Sequence, residues 1–400
     1  MPISSTARSW RTLLLAGAAL TMGAGLAAPA MAGGYAQTNL VTDDQAALTA
    51  LGYAPAAQVD PNLVNPWGID HSPTGGWVVA NTGTATATSY RGSGASAGPA
   101  VTTPQANFVG PAGPTGIVFN SGSGFVLPTG GASQYLVANI DGSISGWNPA
   151  QGSTAVQVVA GRAGGNLQLY TGLAAGDVGG QSYLYAVNGI TGNIDVFNQN
   201  FAPTTLAGGF IDPGANPNGL APFNVQNLGG HIWVTYAIPG PAADAAPLGV
   251  GFVSEFNSDG TFIRRFADGG DLASPWGIAI APGDFGAFSG DVLIGNFVDS
   301  NFGYIGAYRE SDGAFQGLLR DHNGAPIANP GLWGLEFGNG GAAGPANELF
   351  FAAGIADEAH GLFGGIAAVP EPASWALMIL GLGFAGAQLR AQRRRALSAA

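Results

Sequence analysis

The sequence predicts an all-β fold, a six-bladed β-propeller over residues 33–368, in which six small sheets surround a central axis. Three observations predict it: a short phrase containing glycine recurs six times, an apolar strand follows each copy, and no convincing amphipathic helix occurs between residues 35 and 368. Repeats of roughly 50 residues with several short strands each are typical of propellers. A pair of β-sandwiches does not explain sixfold repetition, and the coils of a parallel β-helix are much shorter.

The first element of each repeat is a phrase of the form Pro-x-Gly-Ile, or a weaker copy of it. Its glycines fall at six positions: Gly68, Gly116, Gly172, Gly219, Gly277 and Gly334. Successive glycines are 48, 56, 47, 58 and 57 residues apart, so one repeat has the length of one propeller blade.

The second element is an apolar strand that usually ends at a small or amide residue. Its six copies are Trp77–Asn81, Tyr135–Asn139, Tyr183–Asn188, Ile232–Tyr236, Val292–Asn296 and Leu349–Gly354. Most repeats continue with a third strand, and two of them then have an Asp-Gly turn, at Asp259-Gly260 and Asp312-Gly313. Because Asp-Gly favours tight hairpins, we predict about four antiparallel strands in each repeat.

The last repeat is one strand short, because the chain runs from its third strand, Leu362–Ile366, straight into the C-terminal segment. Residues Tyr35–Val41 provide a spare strand near the other end. We predict that this strand joins the last blade, which closes the ring and removes an exposed sheet edge. Residues 43–58 are the candidate for a short helical turn.

Composition and charge exclude several functions. The chain has 400 residues and no Cys, which excludes disulfides, a cysteine nucleophile and thiolate metal sites. All 12 basic residues are Arg, and half of them lie in the two end segments. Residues 35–368 keep 6 Arg against 23 acidic residues, a net charge of −17. A surface this acidic repels phosphate backbones, so we expect no nucleic-acid partner.

The N-terminal 32 residues have the order of a secretory signal peptide. Arg8 and Arg11 precede an uncharged stretch, and Ala30-Met31-Ala32 fits a small-x-small cleavage site at Ala30 and Ala32. The alternative is an uncleaved N-terminal anchor. We favour cleavage, because the apolar run is short and ends in Ala, Pro and Gly.

The C-terminal segment has three parts in a fixed order. Residues 369–374 contain Pro370, Glu371 and Pro372, residues 375–389 carry no charge, and residues 390–400 are basic. The basic residues of this tail are Arg390, Arg393, Arg394 and Arg395. We predict a transmembrane helix over 375–389, near the lower length limit for a bilayer, and a cytoplasmic tail after it.

These three parts closely resemble the PEP-CTERM sorting signal of Gram-negative bacteria. The resemblance implies an exosortase-type enzyme that cleaves near the motif. It also implies an exported protein, first anchored in the inner membrane and then periplasmic, on the cell surface or extracellular. The alternative is an ordinary C-terminal anchor with a chance Pro-Glu-Pro.

The body resembles six-bladed propellers of the NHL and gluconolactonase kind through its Pro-x-Gly-Ile, Val-Ala-Asn and Asp-Gly-x-Phe phrases. The full order of these phrases is more similar still to that of an uncharacterised bacterial propeller family, whose members often carry a PEP-CTERM tail. That family has no established activity to transfer.

The residues before the repeat glycines are the candidate ligand-binding residues. They are Trp67, Thr115, Thr171, Asn218, Trp276 and Trp333. Equivalent blade positions lie around the axis, so we expect these residues at one mouth of the channel. Trp stacks on apolar sugar faces and Asn and Thr supply hydrogen bonds, which suits a sugar or aglycone. We favour the other interpretation, in which the Trp residues seal contacts between blades.

Asn218 is also a weak candidate metal ligand. Pro217-Asn218-Gly219-Leu220 resembles the phrase that carries a metal-binding Asn in gluconolactonase-like propellers. The resemblance implies two acidic partners, for which Asp60 or Asp70 and Asp271 or Asp299 are candidates, although no motif selects among them. Calcium, a hard cation that prefers oxygen ligands, is the possible cofactor.

No catalytic constellation is apparent. Residues 94–98 match the motif Gly-x-Ser-x-Gly, but the sequence around them does not predict the preceding strand and following helix of a nucleophile elbow. We therefore expect a non-catalytic binding or scaffold protein whose partners are an envelope polysaccharide or envelope protein. The alternative is a calcium-dependent hydrolase or lactonase of the gluconolactonase type.

Overall fold

The computed structural model describes residues 34–105, 113–161, 168–298 and 303–369, together with the single positions 380, 382, 383, 386 and 390. Two compact units are distinguished, 1–31 and 32–400, and only the second contains described residues. The predicted signal peptide, the Pro-Glu-Pro motif and most of the predicted membrane helix at 375–389 lie outside the described residues. No helix within the described part of the chain is long and apolar enough to span a membrane, so anchoring stays a prediction.

The described residues form six mainly antiparallel sheets, each one blade. Blade 1 contains β3 (Pro66–His71), β4 (Trp77–Asn81), β5 (Thr86–Tyr90) and β6 (Val101–Thr102). Blade 2 contains β7 (Pro114–Phe119), β8 (Tyr135–Asn139), β9 (Ile144–Trp147) and β10 (Val156–Val159). Blade 3 contains β11 (Tyr170–Val178), β12 (Gln181–Asn188), β13 (Asn193–Asn198) and β14 (Pro203–Thr204).

The second half of the chain repeats this arrangement. Blade 4 contains β15 (Ala221–Leu228), β16 (His231–Ala237), β17 (Phe252–Asn257) and β18 (Phe262–Asp268). Blade 5 contains β19 (Pro275–Ile280), β20 (Asp291–Asn296), β21 (Ile305–Arg309) and β22 (Phe315–Leu318). Blade 6 contains β23 (Leu332–Phe337), β24 (Glu348–Ala353), β25 (Leu362–Ala368), β1 (Tyr35–Thr42) and β2 (Gln58–Val59). Because the first strand of each blade contacts that of the next and β23 contacts β3, the ring is closed. The predicted six-bladed propeller is confirmed.

Blade 6 confirms the predicted closing strand. β1 pairs antiparallel with β25, with Tyr35 opposite Ala368 and Thr42 opposite Leu362. β2 then adds a fifth strand, parallel to β1. The short helix α1 (Gln45–Ala50) between them begins at Asp44, whose carboxylate accepts the N–H groups of Ala46 and Ala47, as an N-cap residue does.

In five of the six blades the innermost strand has a β-bulge next to the repeat glycine, where the pairing register shifts, as between Pro66 and Ile69. The glycine lets neighbouring blades approach. A Cβ atom on Gly68 would lie 2.6 Å from the carbonyl oxygen of Thr115, and one on Gly334 would lie 2.7 Å from that of Trp67. Any larger residue would push the inner strands apart.

Candidate functional site

Three tryptophans from the repeat phrase meet at the end of the axis where the inner strands begin, as predicted. Trp67 stacks on Trp333 with ring centroids 3.5 Å apart and an interplanar angle of 18°. Trp276 meets both rings edge-on, at 6.3 Å from Trp67 and 5.7 Å from Trp333. We call this end of the axis the mouth.

Two phenylalanines that the sequence analysis missed complete the cluster. Phe297, which follows β20, stacks on the other face of Trp333 at 3.8 Å, and Phe223 lies 5.7 Å from Trp333. Trp67, Trp276 and Trp333 are only 7%, 3% and 1% exposed. Their faces pack against one another, so this burial favours the sealing interpretation for the three tryptophans.

The indole N–H groups of the cluster differ in their hydrogen bonding. Trp67 donates to Asn65 Oδ1 at 3.0 Å, and Trp276 donates to the carbonyl oxygen of Thr171 at 3.1 Å. Nε1 of Trp333 is buried and has no acceptor among the described residues. A buried donor without a partner costs about 1–3 kcal/mol, and no acceptor among the described residues offsets this cost.

A cavity of about 320 Å³ lies against the cluster, and we call it the mouth pocket. Trp67, Phe223, Phe297 and Trp333 form its aromatic lining, and its polar wall includes Thr171, Asp244 and Glu358. Burial raises the pKa of Asp244 above its ordinary value. A largely apolar pocket with a few polar groups is the usual form of a small-ligand site.

Blade 4 departs from the prediction. At the position equivalent to Trp67, Trp276 and Trp333 it has Phe223, not Asn218. The bulge of β15 falls between Pro222 and Asn224, so Asn224 stands where the other blades have glycine. Gly219 instead has a positive φ of +62° in the turn before β15. The sequence analysis aligned this turn glycine with the strand glycines.

The remaining predicted site residues do not meet at the mouth pocket. Thr115 is buried, and its hydroxyl donates to the carbonyl oxygen of Tyr170 at 2.8 Å, which joins blades 2 and 3. Asn218 is exposed and lines a different cavity, which it shares with Arg265 and Asp268. Asp60 accepts the hydroxyl of Tyr90, and Asp299 lies outside the described residues.

The far end of the axis carries a second group of polar residues. Asp70 and Glu336 both stand two positions after a repeat glycine, and both line a cavity of about 160 Å³ whose wall also contains Gln226 and Trp276. Asp70 accepts the N–H of Phe119 at 2.6 Å. One side-chain ligand atom each from Asp70, His71 and Glu336 lies within 4.8 Å of the others.

The electrostatics at this far end are unusual for carboxylates. Burial raises the pKa of Asp70 to about 6, against the opposing effect of the Phe119 N–H and the neighbouring imidazole. Burial and the charge of Asp70 both raise the pKa of Glu336 well above its ordinary value. Perturbed acids in a cavity mark functional-site candidates. The sequence analysis considered Asp70 alone, although the shared offset from glycine pointed to Glu336.

Comparison with known proteins identifies the C-terminal segment. Residues 368–395 match the family described as the PEP-CTERM protein-sorting motif. This motif implies export, sorting to the envelope and recognition by an exosortase-type enzyme. Fold and motif together define the class: a six-bladed propeller that carries a PEP-CTERM sorting signal.

The body of the chain has relatives in a giant virus. It is 32% identical over 327 residues to Uncharacterized protein L690 of Acanthamoeba polyphaga mimivirus, covering 78% of this chain and 82% of the relative. It is 31% identical over 331 residues to Uncharacterized protein R648 of the same virus, covering 78% and 76%. The chain belongs to the same protein family as these two.

Solved structures with low sequence identity resemble the chain in fold. A virginiamycin B lyase from Staphylococcus aureus is 10% identical with a TM-score of 0.44, over 84% of this chain and 99% of that one. A PQQ-bound aldose sugar dehydrogenase from Streptomyces coelicolor is 15% identical with a TM-score of 0.46, over 84% and 98%.

Proposed function

We propose that the protein is an exported, non-catalytic binding protein of the cell envelope or its polysaccharide matrix, and that the mouth pocket holds its ligand. The observation that carries the proposal is the buried, unpartnered Nε1 of Trp333 in the aromatic lining of that pocket. A ligand hydroxyl or carbonyl oxygen would accept this N–H and remove the cost of leaving it unpaired.

The lining favours an uncharged glycan segment. Phe223 is half-buried, so part of its ring is available to the apolar face of a sugar. Asp244 can accept a hydrogen bond from a sugar hydroxyl. Because residues 35–368 carry a net charge of −17, long-range repulsion disfavours anionic polymers and favours neutral or cationic ones.

The chain direction in blade 6 places the end of the propeller body on the side opposite the mouth. β23 and β25 both pair antiparallel with β24, so they run parallel to each other. β23 begins at the mouth beside Trp333 and ends beside Glu336, and β25 ends at Ala368 on that same far side. The described body therefore ends, at Val369, on the side opposite the mouth.

The test measures binding of the purified full chain to neutral and acidic envelope polysaccharides, by glycan array and then by calorimetry. We expect Phe223→Ala and Asp244→Asn to weaken binding about tenfold or more, as the loss of one or two good contacts does. Phe315→Ala is the matched control, because Phe315 is an exposed phenylalanine of β22, outside the mouth pocket. Unchanged affinity in both pocket variants, or no binding to any envelope polymer, would overturn the proposal.

The alternative function, a calcium-dependent hydrolase or lactonase, rests on Asn218 and now has Asp268 as its acidic neighbour in one cavity. Asp268 is paired with Arg265 at 2.9 Å, which reduces its value as a ligand. Lactone hydrolysis measured across a calcium titration tests this alternative. Activity that requires calcium and disappears in Asn218→Ala supports it, and the absence of hydrolysis removes it.

A further inference from the structure

The far end of the channel gathers hydrogen-bond acceptors around His71. Nδ1 of His71 lies 3.1 Å from the carbonyl oxygen of Ser72, so a proton on Nδ1 satisfies that carbonyl and leaves a lone pair on Nε2. Nε2 lies 2.9 Å from the carbonyl oxygen of Phe337 and 3.5 Å from Oε1 of Glu336. A carboxylate oxygen of Asp70 lies within 4.8 Å of these side-chain atoms.

A divalent cation is one species that can bind several of these lone pairs at once and neutralise the two carboxylates. No Arg is present among the described residues that line the channel cavity, and the chain has no Lys. The cavity therefore holds two carboxylates whose nearest basic group is this one imidazole.

We propose that His71, Glu336 and Asp70, with the carbonyl oxygen of Phe337, bind a divalent cation of the Zn²⁺ type. One imidazole nitrogen with several oxygens is a donor set that suits such ions. Tetrahedral bonds of about 2.0–2.2 Å place ligand atoms roughly 3.3–3.6 Å apart. The 3.5 Å between Nε2 and Oε1 of Glu336 matches this separation, whereas the 2.9 Å between Nε2 and the carbonyl oxygen of Phe337 is a hydrogen-bond distance that would have to lengthen when the ion binds. In the tautomer with the proton on Nδ1, directed at the carbonyl of Ser72, Nε2 would be available to the ion.

The site is independent of the mouth pocket. Trp276 lines the channel cavity on the side of the mouth, so the aromatic cluster separates the two cavities. The Glu336 side chain is 31% exposed, which provides a route for the ion from the far side. The cation would bind between blade 1 and blade 6, the junction that the N-terminal strand closes.

The test measures Zn²⁺ binding to the metal-free full chain by calorimetry, and Co²⁺ binding by visible absorption. We expect one equivalent of metal, a Co²⁺ spectrum of low coordination number, and a melting temperature that rises by a few degrees on saturation. Glu336→Gln and His71→Gln should weaken binding by about tenfold or more. His231→Gln should bind as the wild type does, because His231 pairs with Glu255 at 2.6 Å on blade 4, outside the channel.

Each outcome is decisive. Absence of binding in the wild type would overturn the proposal. Equal binding in the wild type and Glu336→Gln would show adventitious binding elsewhere and would also overturn it. Glu336→Gln preserves side-chain shape, and its circular dichroism spectrum without metal establishes that it folds. Because the readout is the metal itself, the result does not depend on glycan binding.

Discussion

The hydroxyl of Tyr35 donates a hydrogen bond to the carbonyl oxygen of Phe285 at 3.0 Å and accepts one from the N–H of Phe288 at 3.2 Å. Tyr35 begins β1, whereas both partners lie in the connection between β19 and β20 of blade 5. The closing strand is thus fixed to blade 5 as well as to blade 6. Burial raises the pKa of Tyr35 to about 12, so the phenol stays neutral and keeps its proton to donate.

Tyr35→Phe should lower the free energy of unfolding by about 1–3 kcal/mol, because it leaves a buried carbonyl and N–H unsatisfied. Urea denaturation followed by fluorescence measures the loss. Tyr53→Phe is the comparison, since the Tyr53 hydroxyl donates one bond, to the carbonyl of Ala328 at 3.1 Å. A larger loss in Tyr53→Phe than in Tyr35→Phe would contradict the role given to this anchor.

The contact between Gly334 and blade 1 gives a second stability prediction. A Cβ atom at residue 334 would lie 2.7 Å from the backbone oxygen of Trp67, and backbone yields less readily than a flexible side chain. Gly334→Ala should therefore destabilise the protein by about 1–3 kcal/mol or more, the usual cost of overpacking.

The matched control is Gly283→Ala. A Cβ at residue 283 has open space around it, so this variant should lie within about 0.5 kcal/mol of the wild type. Chemical denaturation of both variants provides the measurement. Equal stability of the two variants would mean that blade spacing does not depend on the repeat glycine.

The blade count and the closing strand could be predicted because both depend on local, repeated signals. Pro-x-Gly phrases in three blades and strand-ending asparagines in four recur where the backbone imposes the same requirement. The sequence analysis misaligned blade 4. Asn224 stands at the position of the strand glycine there, and the aligned residue, Gly219, lies in the turn before β15 with a positive φ. A sequence pattern could not distinguish a glycine needed for blade spacing from one needed for positive φ.

The candidate sites were less predictable, because they depend on contacts between blades far apart in sequence. Phe297 joins the mouth from the end of β20, beside Trp333 of the next blade. Glu336 meets His71 only because blade 6 closes against blade 1. Phe297 has no local motif, and the position of Glu336 two residues after Gly334 does not by itself show which side chains it meets. Their positions around the axis become apparent only when the inner strands of the six blades are superposed.

Glu348 gives a prediction about pH. It lies partly buried in β24, and burial raises the pKa of its carboxyl. A folded-state pKa above the unfolded value of about 4.3 means that the folded state holds more protons, so this group lowers stability as pH rises through its folded pKa. Glu348→Gln should therefore raise the melting temperature at pH 7, by the order of 1 °C, and this gain should disappear below about pH 4.

Calorimetric melting across pH 3–8 measures the difference between the variant and the wild type. Glu310→Gln, at an exposed turn of blade 5, controls for the loss of one surface charge. A Glu348→Gln variant that melts below the wild type at pH 7 would show that the ionised carboxylate stabilises the fold, against the prediction.

Trp333→Phe separates the two roles of the aromatic cluster. Phenylalanine keeps a ring between Trp67 and Phe297, so most of the stacking remains, but it removes the buried Nε1 donor that has no acceptor in the described structure. If a ligand uses that N–H, affinity for the envelope glycan should fall about tenfold, the value of one good hydrogen bond. The cost in stability should stay well below the roughly 3–5 kcal/mol expected for Trp333→Ala. Calorimetry with the ligand and urea unfolding without it measure the two effects on the same samples. A loss of stability without a loss of affinity would leave Trp333 as a seal alone.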